Sequence, residues 1–399
     1  MPLRLLTVLV LALTLAVVPT AAAKKGGSSY QTGHDAWRSF AGWTLSGTAV
    51  NADGSLTLAS SGLASGTDAP GAYYGGDYYH GGAYQVGEAV SPEIATSFGY
   101  TEAIASWNAA TPDGSWLETW IRARIAGRWT KWYSLGVWAS GESHVSRHSV
   151  RLQGDTDGFV AVDTLVLNGK KAPPADAYQT KLQLFTANGA APTVRYLSVA
   201  TSTAAPAAAT HPPAAGVANG TLLAVPEHSQ MVYPDGGNVW CSPTSVSMVL
   251  AYWNGNPGRI ESRVRTTVTG VYDWIYDGHG NWPFNTAFAA TEGMEATVAR
   301  FTSMNDVEAW IAAGVPVVFS WAWKNGDVTG AAVPGSDGHL AVIVGFDAAG
   351  NPIVNDPAAA TNEDVQRTYD RTELETVWLE ASGGTVYLIY PPGHPVPAL

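Results

Sequence analysis

The chain has 399 residues, more than a single hydrophobic core usually supports, so its length predicts two domains. With 46% hydrophobic and 14% charged residues, the composition is that of a globular protein and excludes a largely disordered chain. The formal net charge of −12 disfavours general binding of nucleic acid or of anionic membranes, because both need clustered Lys and Arg.

The first 23 residues have the pattern of a secretory signal peptide. Arg4 supplies a positive charge, residues 5–18 form an apolar run, and an Ala-x-Ala cleavage pattern follows. A membrane anchor is the alternative, but a spanning helix needs about 20 apolar residues and Pro19 interrupts this run. We therefore expect cleavage after this segment, no membrane span, and a secreted, extracellular protein.

Residues 24–201 predict an all-β sandwich domain of jelly-roll type, because short strand-like runs alternate with turn signals. The pair Asp53-Gly54 lies between two such runs and predicts a hairpin. Residues 117–125 alternate between apolar and polar side chains, as a half-buried strand does. Residues 158–167 indicate one further strand.

Residues 202–221 are rich in Ala and Pro, uncharged and without periodicity, which is typical of a linker between domains. Residues 222–399 mix helical and strand patterns and predict an α+β domain with an antiparallel sheet. Asn305 and Glu308 have the spacing of a capping box, so we expect Asn305 to cap a helix.

The one cysteine of the chain, Cys241, opens the segment "CSPTSVSMVLAYW". Pro243 suits the first turn of a helix, and apolar residues at 246, 249, 250 and 253 give that helix one apolar face. A single Cys cannot form an internal disulfide. The alternative to a reactive thiol is a buried, unreactive one with a purely structural role. The predicted place at a helix N-terminus favours a reactive thiol, since the dipole and free N–H groups there stabilise a thiolate.

Three further side chains complete a candidate nucleophilic site, because a thiolate needs a base and a group that orients the base. His339 opens a predicted strand and Asp356 follows the end of the next strand, so adjacent antiparallel strands can bring them together. Gln230 precedes Cys241, and its amide can donate to an oxyanion together with the Cys241 backbone N–H. Each residue alone is usually structural, but their combination predicts catalysis.

The motifs "VPEHSQ", "WCSPTSVSMVL" and "DGHLAVIVGFDAAGNPIVNDP" resemble those of the bacteriocin-processing (double-glycine) peptidase family in its stand-alone, papain-like form, over residues 222–392. The resemblance implies an α+β papain-like cysteine peptidase domain that hydrolyses peptide bonds without a metal or cofactor. It implies that Cys241 is the nucleophile, His339 the general base, Asp356 the orienting acid and Gln230 the oxyanion-hole donor. The family's best-known members are fused to membrane transporters, and this sequence has no such segment. The resemblance does not cover the predicted sandwich.

Candidate substrate-binding residues are Trp240, His279 and Trp282, the last two in a Gly-rich aromatic loop. The same loop can equally be a plain surface connection. His144 and His148 have a spacing that suits zinc only on a helix, whereas their region indicates strand or loop, so we expect no metal site.

The sequence therefore predicts a secreted cysteine peptidase, monomeric, acting on a peptide or protein substrate. Two alternatives stay open: a transglutaminase-like acyl transferase with the same triad, and a non-catalytic extracellular binding protein. For the sandwich, a polysaccharide, the cell wall or a partner protein is a possible ligand by analogy of fold alone.

Overall fold

The computed structural model describes residues 30–141, 143–169, 172–255 and 260–399. The predicted signal peptide, residues 1–23, lies outside the described residues. The strands of the N-terminal region are β1 Thr32–Trp37, β2 Thr44–Ser46, β3 Thr48–Val50, β4 Leu56–Leu58, β5 Ala64–Thr67, β6 Ala83–Val90, β7 Ile94–Tyr100, β8 Glu102–Ala110, β9 Ser115–Ile125, β10 Arg128–Trp129, β11 Tyr133–Trp138, β12 Gly158–Ala161, β13 Thr164–Leu167, β14 Ala175–Thr186 and β15 Thr193–Ser202.

These strands form two antiparallel sheets that share an apolar core. One sheet has the order β12-β13-β8-β15-β4-β3 with β1 also on β15, and the other has the order β10-β9-β14-β6-β2 with β11, β7 and β5 attached. Buried side chains of both sheets, among them Trp107, Leu117, Leu182 and Leu197, belong to one core. The all-β, sandwich-like prediction for this region is confirmed.

Two local predictions for this region have different outcomes. The Asp53-Gly54 hairpin is confirmed, since Val50 pairs with Leu56 across it. The single strand expected over 158–167 is wrong, because the chain reverses at Val162 and forms the β12–β13 hairpin instead. Alternating hydrophobicity on both sides of a one- or two-residue turn hides such a reversal.

The C-terminal region contains helices and strands in alternation. They are α1 Cys241–Asn254, α2 Ile260–Val271, α3 Trp282–Thr291, β16 Glu295–Arg300, α4 Met304–Ala312, β17 Val317–Trp323, β18 Ser336–Phe346, β19 Pro352–Asn355, β20 Gln366–Thr368, α5 Arg371–Ser382 and β21 Thr385–Tyr390. The strands form one antiparallel sheet of order β16-β21-β17-β18-β19-β20. This is the α+β arrangement with an antiparallel sheet that the pattern predicts.

The start of α4 corrects the predicted cap. Ser303, not Asn305, is the N-cap, and its capping-box partner is Asp306. Asn305 lies inside the helix, and Glu308 is buried and pairs with Arg371. Both residue pairs have the spacing of a capping box. Glu308 is not available for the cap because it pairs with Arg371, a tertiary contact that the local sequence does not show.

The Ala/Pro-rich segment 202–221 lies along the C-terminal region. The backbone N–H groups of Ala209, Ala215 and Val217 donate to side-chain oxygens of that region, and Ala218 is buried. His211 also pairs with Glu375 at 2.7 Å. These contacts fix a segment whose composition alone indicates a free linker.

The two regions also meet directly, because side chains of β8 cover the edge strand β16. The Asn108 amide donates to the Ala296 carbonyl at 2.6 Å and accepts from the Ala296 N–H at 3.1 Å. The Ser106 hydroxyl accepts from the Val298 N–H at 3.0 Å. An edge strand that would otherwise present unpaired backbone groups is thereby satisfied.

Candidate active site

The Cys241 sulfur lies at the first residue of α1, as predicted. Pro243 occupies the first turn, and residues 242–251 are all buried, so the helix is enclosed on every side there and not only along its predicted apolar face. Burial raises the pKa of the Cys241 thiol, but the hydrogen bond and charge of His339, with backbone contacts at Leu340 and Ser242, outweigh it and hold the pKa below its usual value. Cys241 as a whole residue is half-buried.

His339 and Asp356 come together because β18 and β19 are adjacent and antiparallel. The His339 Nε2 atom lies 2.7 Å from Asp356 Oδ1, and both side chains are buried. This leaves Nδ1 as the ring nitrogen for the hydrogen bond with Cys241. The strand begins at Ser336 and not at His339 as expected, so the imidazole is held inside a strand.

The charges of this group reinforce each other. Burial lowers the pKa of His339, but the charge and hydrogen bond of Asp356, together with Cys241, raise it well above its usual value. Burial raises the pKa of the Asp356 carboxyl, and the charge of His339 brings it below its usual value. The three groups therefore each favour the charged form of the others: a thiolate, an imidazolium and a carboxylate.

Tyr369, which the sequence analysis did not single out, completes the environment of Asp356. Its hydroxyl donates to Asp356 Oδ2 at 2.8 Å, and the Ala358 N–H donates to Oδ1 at 3.0 Å. The buried carboxylate thus has partners on both oxygens, which fixes the plane in which it receives the imidazole. Tyr369 follows β20, and no short-range motif connects it to Asp356.

Two further residues beside His339 that the sequence did not predict are Trp321 and Trp323 of β17. Their rings stack at 3.9 Å and lie 5.8 Å and 5.7 Å from the His339 ring. Trp321 is directly opposite His339 in the sheet. The repeat "WAW" on a predicted strand places both rings on one face, which is a usable signal for an aromatic wall.

Two hydroxyl contacts fasten the helix that carries the sulfur to the sheet that carries the imidazole. The Ser245 hydroxyl donates to the Leu340 carbonyl at 3.1 Å, next to His339. The Ser242 hydroxyl lies 3.1 Å from the Tyr387 hydroxyl of β21. The distance between sulfur and ring is therefore set by regular elements rather than by loops.

Gln230 is buried on a short 3-10 turn beside the same group. Its backbone N–H donates to the Pro357 carbonyl at 2.9 Å, immediately after Asp356. Its side-chain Nε2 donates to the Gly237 carbonyl at 2.7 Å. Since an amide nitrogen carries two hydrogens, one N–H remains for another acceptor.

Of the three predicted substrate-binding residues, Trp240 and His279 contact each other, and Trp282 lies at the start of α3. The Trp240 and His279 rings meet at 6.3 Å next to Cys241, and Trp240 is buried while His279 is half-buried. Burial lowers the pKa of His279 to about 4, so this ring is neutral at physiological pH. Trp282 is half-buried and opens α3, where its backbone N–H donates to Asp163.

A metal centre is not found in the described part of the chain, where no group of three or more His, Cys, Asp or Glu side chains is placed to hold an ion. His144 pairs with Asp113, and the His148 ring contacts the Ser146 carbonyl. The described residues also contain no helix long and apolar enough to cross a membrane.

Two family models match the chain in consecutive stretches. Residues 31–202 match the Peptidase C39 N-terminal domain, and residues 222–386 match the Peptidase_C39 like family. The matches support the C39 papain-like peptidase family and a peptidase of cysteine type. Among curated proteins, no sequence relative matches the chain.

The similarity of this chain to solved structures is low. One structure comes from work on carbohydrate-binding modules of the β-sandwich superfamily. It shows 13% identity, 42% of this chain and 55% of that chain are covered, and the TM-score is 0.18. A family two carbohydrate esterase from Cellvibrio japonicus shows 15% identity, 56% and 49% coverage and a TM-score of 0.18. A family 11 carbohydrate-binding module from Clostridium thermocellum shows 11% identity, 44% and 89% coverage and a TM-score of 0.16. This chain thus spans about half the length of the first two.

Proposed function

We propose that this chain, which matches two C39 peptidase family models, is a cysteine peptidase with a Cys241–His339–Asp356 triad in a papain-like domain. The observation that carries the proposal is the continuous contact from the Cys241 sulfur at a helix N-terminus, through a buried imidazole, to a fully buried carboxylate. The jelly-roll topology of the N-terminal sandwich and export of the protein belong to the same proposal.

The reaction begins from the thiolate and imidazolium pair. Cys241 Sγ attacks the scissile carbonyl carbon, a C–S bond forms, and the carbonyl oxygen becomes an oxyanion. His339 Nδ1–H gives its proton to the leaving amine, the C–N bond breaks, and a thioester remains. A water molecule loses a proton to Nδ1 and attacks the thioester, the C–S bond breaks, and the acid leaves.

Gln230 is the side-chain donor that we assign to the oxyanion. Its buried position, its backbone bond to Pro357 and its second amide N–H support this role. The backbone N–H of Cys241 at the start of α1 is the second donor. The bond from Gln230 to the Gly237 carbonyl holds the amide before substrate arrives, which is the preorganisation that oxyanion stabilisation needs.

The test is cleavage of a diverse peptide and peptidoglycan-fragment library by the purified chain in ¹⁸O-labelled water, with and without an added primary amine. The proposal expects new carboxyl termini that carry ¹⁸O, in the wild type and not in Cys241→Ala. Products that are predominantly amides of the added amine indicate acyl transfer and contradict hydrolysis. Equal product from wild type and Cys241→Ala contradicts the triad.

For the sandwich we propose a polysaccharide ligand on the face of β9 and β14. There the side chains of Trp129, Arg122, Trp132, Lys181 and Trp120 alternate, and each cation lies 4.7–5.1 Å from the two rings beside it. We call this row the aromatic–cation ladder. Aromatic faces and cations together suit a polysaccharide that carries carboxylates.

One cation of the ladder lacks an acidic partner among the described residues. The guanidinium of Arg122 donates to the neutral Gln179 amide, and burial lowers the pKa of Arg122. The proposal expects binding to polygalacturonate, measured by calorimetry, that is lost in Arg122→Gln. Arg124→Gln is the matched control, because Arg124 pairs with Asp176. Equal affinity for polygalacturonate and for a neutral glucan contradicts this assignment.

A further inference from the structure

The loop of residues 272–281, which joins α2 to α3 and which we call the cleft loop, forms a side of the proposed catalytic centre. His279 of this loop contacts Trp240, the neighbour of Cys241. The Tyr276 hydroxyl lies in the electrostatic field of both Cys241 and Asp163. The cleft loop therefore lies beside the proposed catalytic cysteine.

The cleft loop is organised around one buried carboxylate. Asp273 Oδ1 accepts from the Ile275 and Tyr276 N–H groups, and Oδ2 accepts from the Asn281 amide at 2.9 Å. The Asn281 side chain in turn caps α3 by accepting from the Phe284 N–H. These bonds define the curve of the loop.

The N-terminal region holds this loop at three backbone or side-chain positions. The Ser149 N–H donates to Asp273 at 3.0 Å, and the Trp274 N–H donates to the Arg147 carbonyl at 3.1 Å. The Arg151 guanidinium donates to the carbonyl of Ile275. A wall of the proposed peptidase site is thus held by side chains and backbone from the sandwich.

Asp163 provides the fourth attachment, at the junction of the cleft loop with α3. It lies on the β12–β13 turn, is 4% exposed, and accepts from the Trp282 N–H at 2.7 Å and the Thr164 hydroxyl at 2.9 Å. Its carboxyl lies at the N-terminus of α3, where negative charge is stabilising. The Asp163 carboxyl also acts electrostatically on Tyr276 and Tyr387, as Cys241 does.

The turn that presents Asp163 is strained. Val162 has φ of +58°, a region that β-branched residues rarely occupy, and the Asp163 N–H donates to the Ala161 carbonyl at 2.7 Å. Strain of this kind persists only where surrounding contacts hold it, and it concentrates at functional sites.

We propose that the N-terminal sandwich is a working part of the peptidase centre and that Asp163 is the positioning residue through which it holds the cleft loop and Trp282 for substrate binding. This inference rests on the proposed peptidase function. Asp163 acts on substrate through Trp282 and the cleft loop, so its loss weakens binding and leaves the Cys241–His339 pair intact.

The same residue gives substrate binding a dependence on pH. Burial raises the pKa of Asp163 to about 7, the Trp282 N–H and the Thr164 hydroxyl lower it, Asp273 raises it and Arg300 lowers it. Tyr276 and Tyr387 are the other titratable groups that it faces. Above that pH the carboxylate is ionised and holds the Trp282 N–H strongly, and below it protonation weakens the hold.

The experiment compares full-length Asp163→Ala, Asp163→Asn and wild type, with Asp157→Asn as the matched control. Asp157 is a buried acid just before the same hairpin and pairs with the exposed Arg128 instead of with the C-terminal region. We expect Asp163→Ala to raise KM by roughly tenfold with little change in kcat, the fold-change expected for one lost charge-assisted hydrogen bond. Asp163→Asn keeps an acceptor, restores most of the affinity, and removes the rise in KM below neutral pH.

A second readout does not need peptidase activity. Backbone hydrogen exchange of residues 272–282 should accelerate in Asp163→Ala and stay as in wild type in Asp157→Asn, while the rate of Cys241 alkylation is unchanged in both. An unchanged KM and unchanged exchange in Asp163→Ala overturn the proposal. A loss of alkylation reactivity in that variant also overturns it, because the effect is then on the catalytic pair.

Discussion

The catalytic centre and the cleft loop lie side by side, yet they are held in place in different ways. The centre is carried by a helix tip and two paired strands of one sheet, with Ser245 and Tyr369 as local fasteners. The cleft loop has no regular structure of its own and depends on the sandwich through Asp163 and its neighbours. The proposed reactivity thus depends on the C-terminal region alone, whereas the position of the cleft loop depends on both regions.

Removal of the Cys241 sulfur should have the largest effect on peptide cleavage. Cys241→Ala should lower kcat/KM by about 10⁴ or more, since no nucleophile remains. Because the hydrogen bonds of Asp273, and not the sulfur, organise the cleft loop, hydrogen exchange in residues 272–281 should stay as in wild type. Peptide cleavage measured together with exchange checks both statements, and retained cleavage would show that another residue is the nucleophile.

Asp356→Asn tests the orientation of the imidazole. The neutral amide can no longer stabilise an imidazolium, so kcat should fall by about 10²–10⁴, by analogy with other triads. Asp347→Asn, on the exposed turn between β18 and β19, is the matched control and should leave kcat unchanged. A steady-state assay of both variants suffices, and equal kcat values would remove Asp356 from the triad.

Gln230→Ala should separate two effects, the stabilisation of the transition state and the activation of the thiol. Loss of the amide donor should lower kcat by about 10²–10³, the usual effect of removing one oxyanion-hole donor. The pH profile of Cys241 alkylation should stay in place, since the thiolate pair does not use Gln230. A shift in that profile with no loss of kcat would assign Gln230 to positioning of the pair instead.

Asn108→Ala should have the smallest effect on activity, because it lies in the contact between the regions but away from the cleft loop. The Ala296 backbone groups lose their partner on an edge strand, so we expect about 1–3 kcal/mol less stability. Thermal unfolding and the KM for a peptide substrate give both numbers. A raised KM would mean that the whole interface, and not the Asp163 contact alone, shapes the cleft.

The sequence predicts the parts of the site that follow from local pattern. Cys241 at a helix tip follows from Pro243 and the apolar face of the helix, and the meeting of His339 with Asp356 follows from two consecutive strands. These are short-range inferences, in which chain order and sheet pairing agree.

The missing parts of the site depend on contacts between distant segments. Tyr369 reaches Asp356 from the end of the sheet, and Asp163 reaches α3 from another region of the chain. The position of Asp163 on a turn could not be predicted, because residues 158–167 have the pattern of one strand although the chain reverses at Val162. Nothing in the local pattern shows that a turn of the sandwich faces the peptidase cleft.

The pH dependence of Cys241 alkylation by iodoacetamide tests the central claim most directly. The pKa of the thiol is lowered and that of His339 is raised to about 10, so we expect the ion pair between the pH at which the thiol ionises and the pH at which His339 loses its proton. Wild type should therefore react at its plateau rate well below the usual thiol pKa of about 8.5, and His339→Ala should move the midpoint up towards that value. A wild-type midpoint near the usual value, unmoved by His339→Ala, would contradict a thiolate–imidazolium pair.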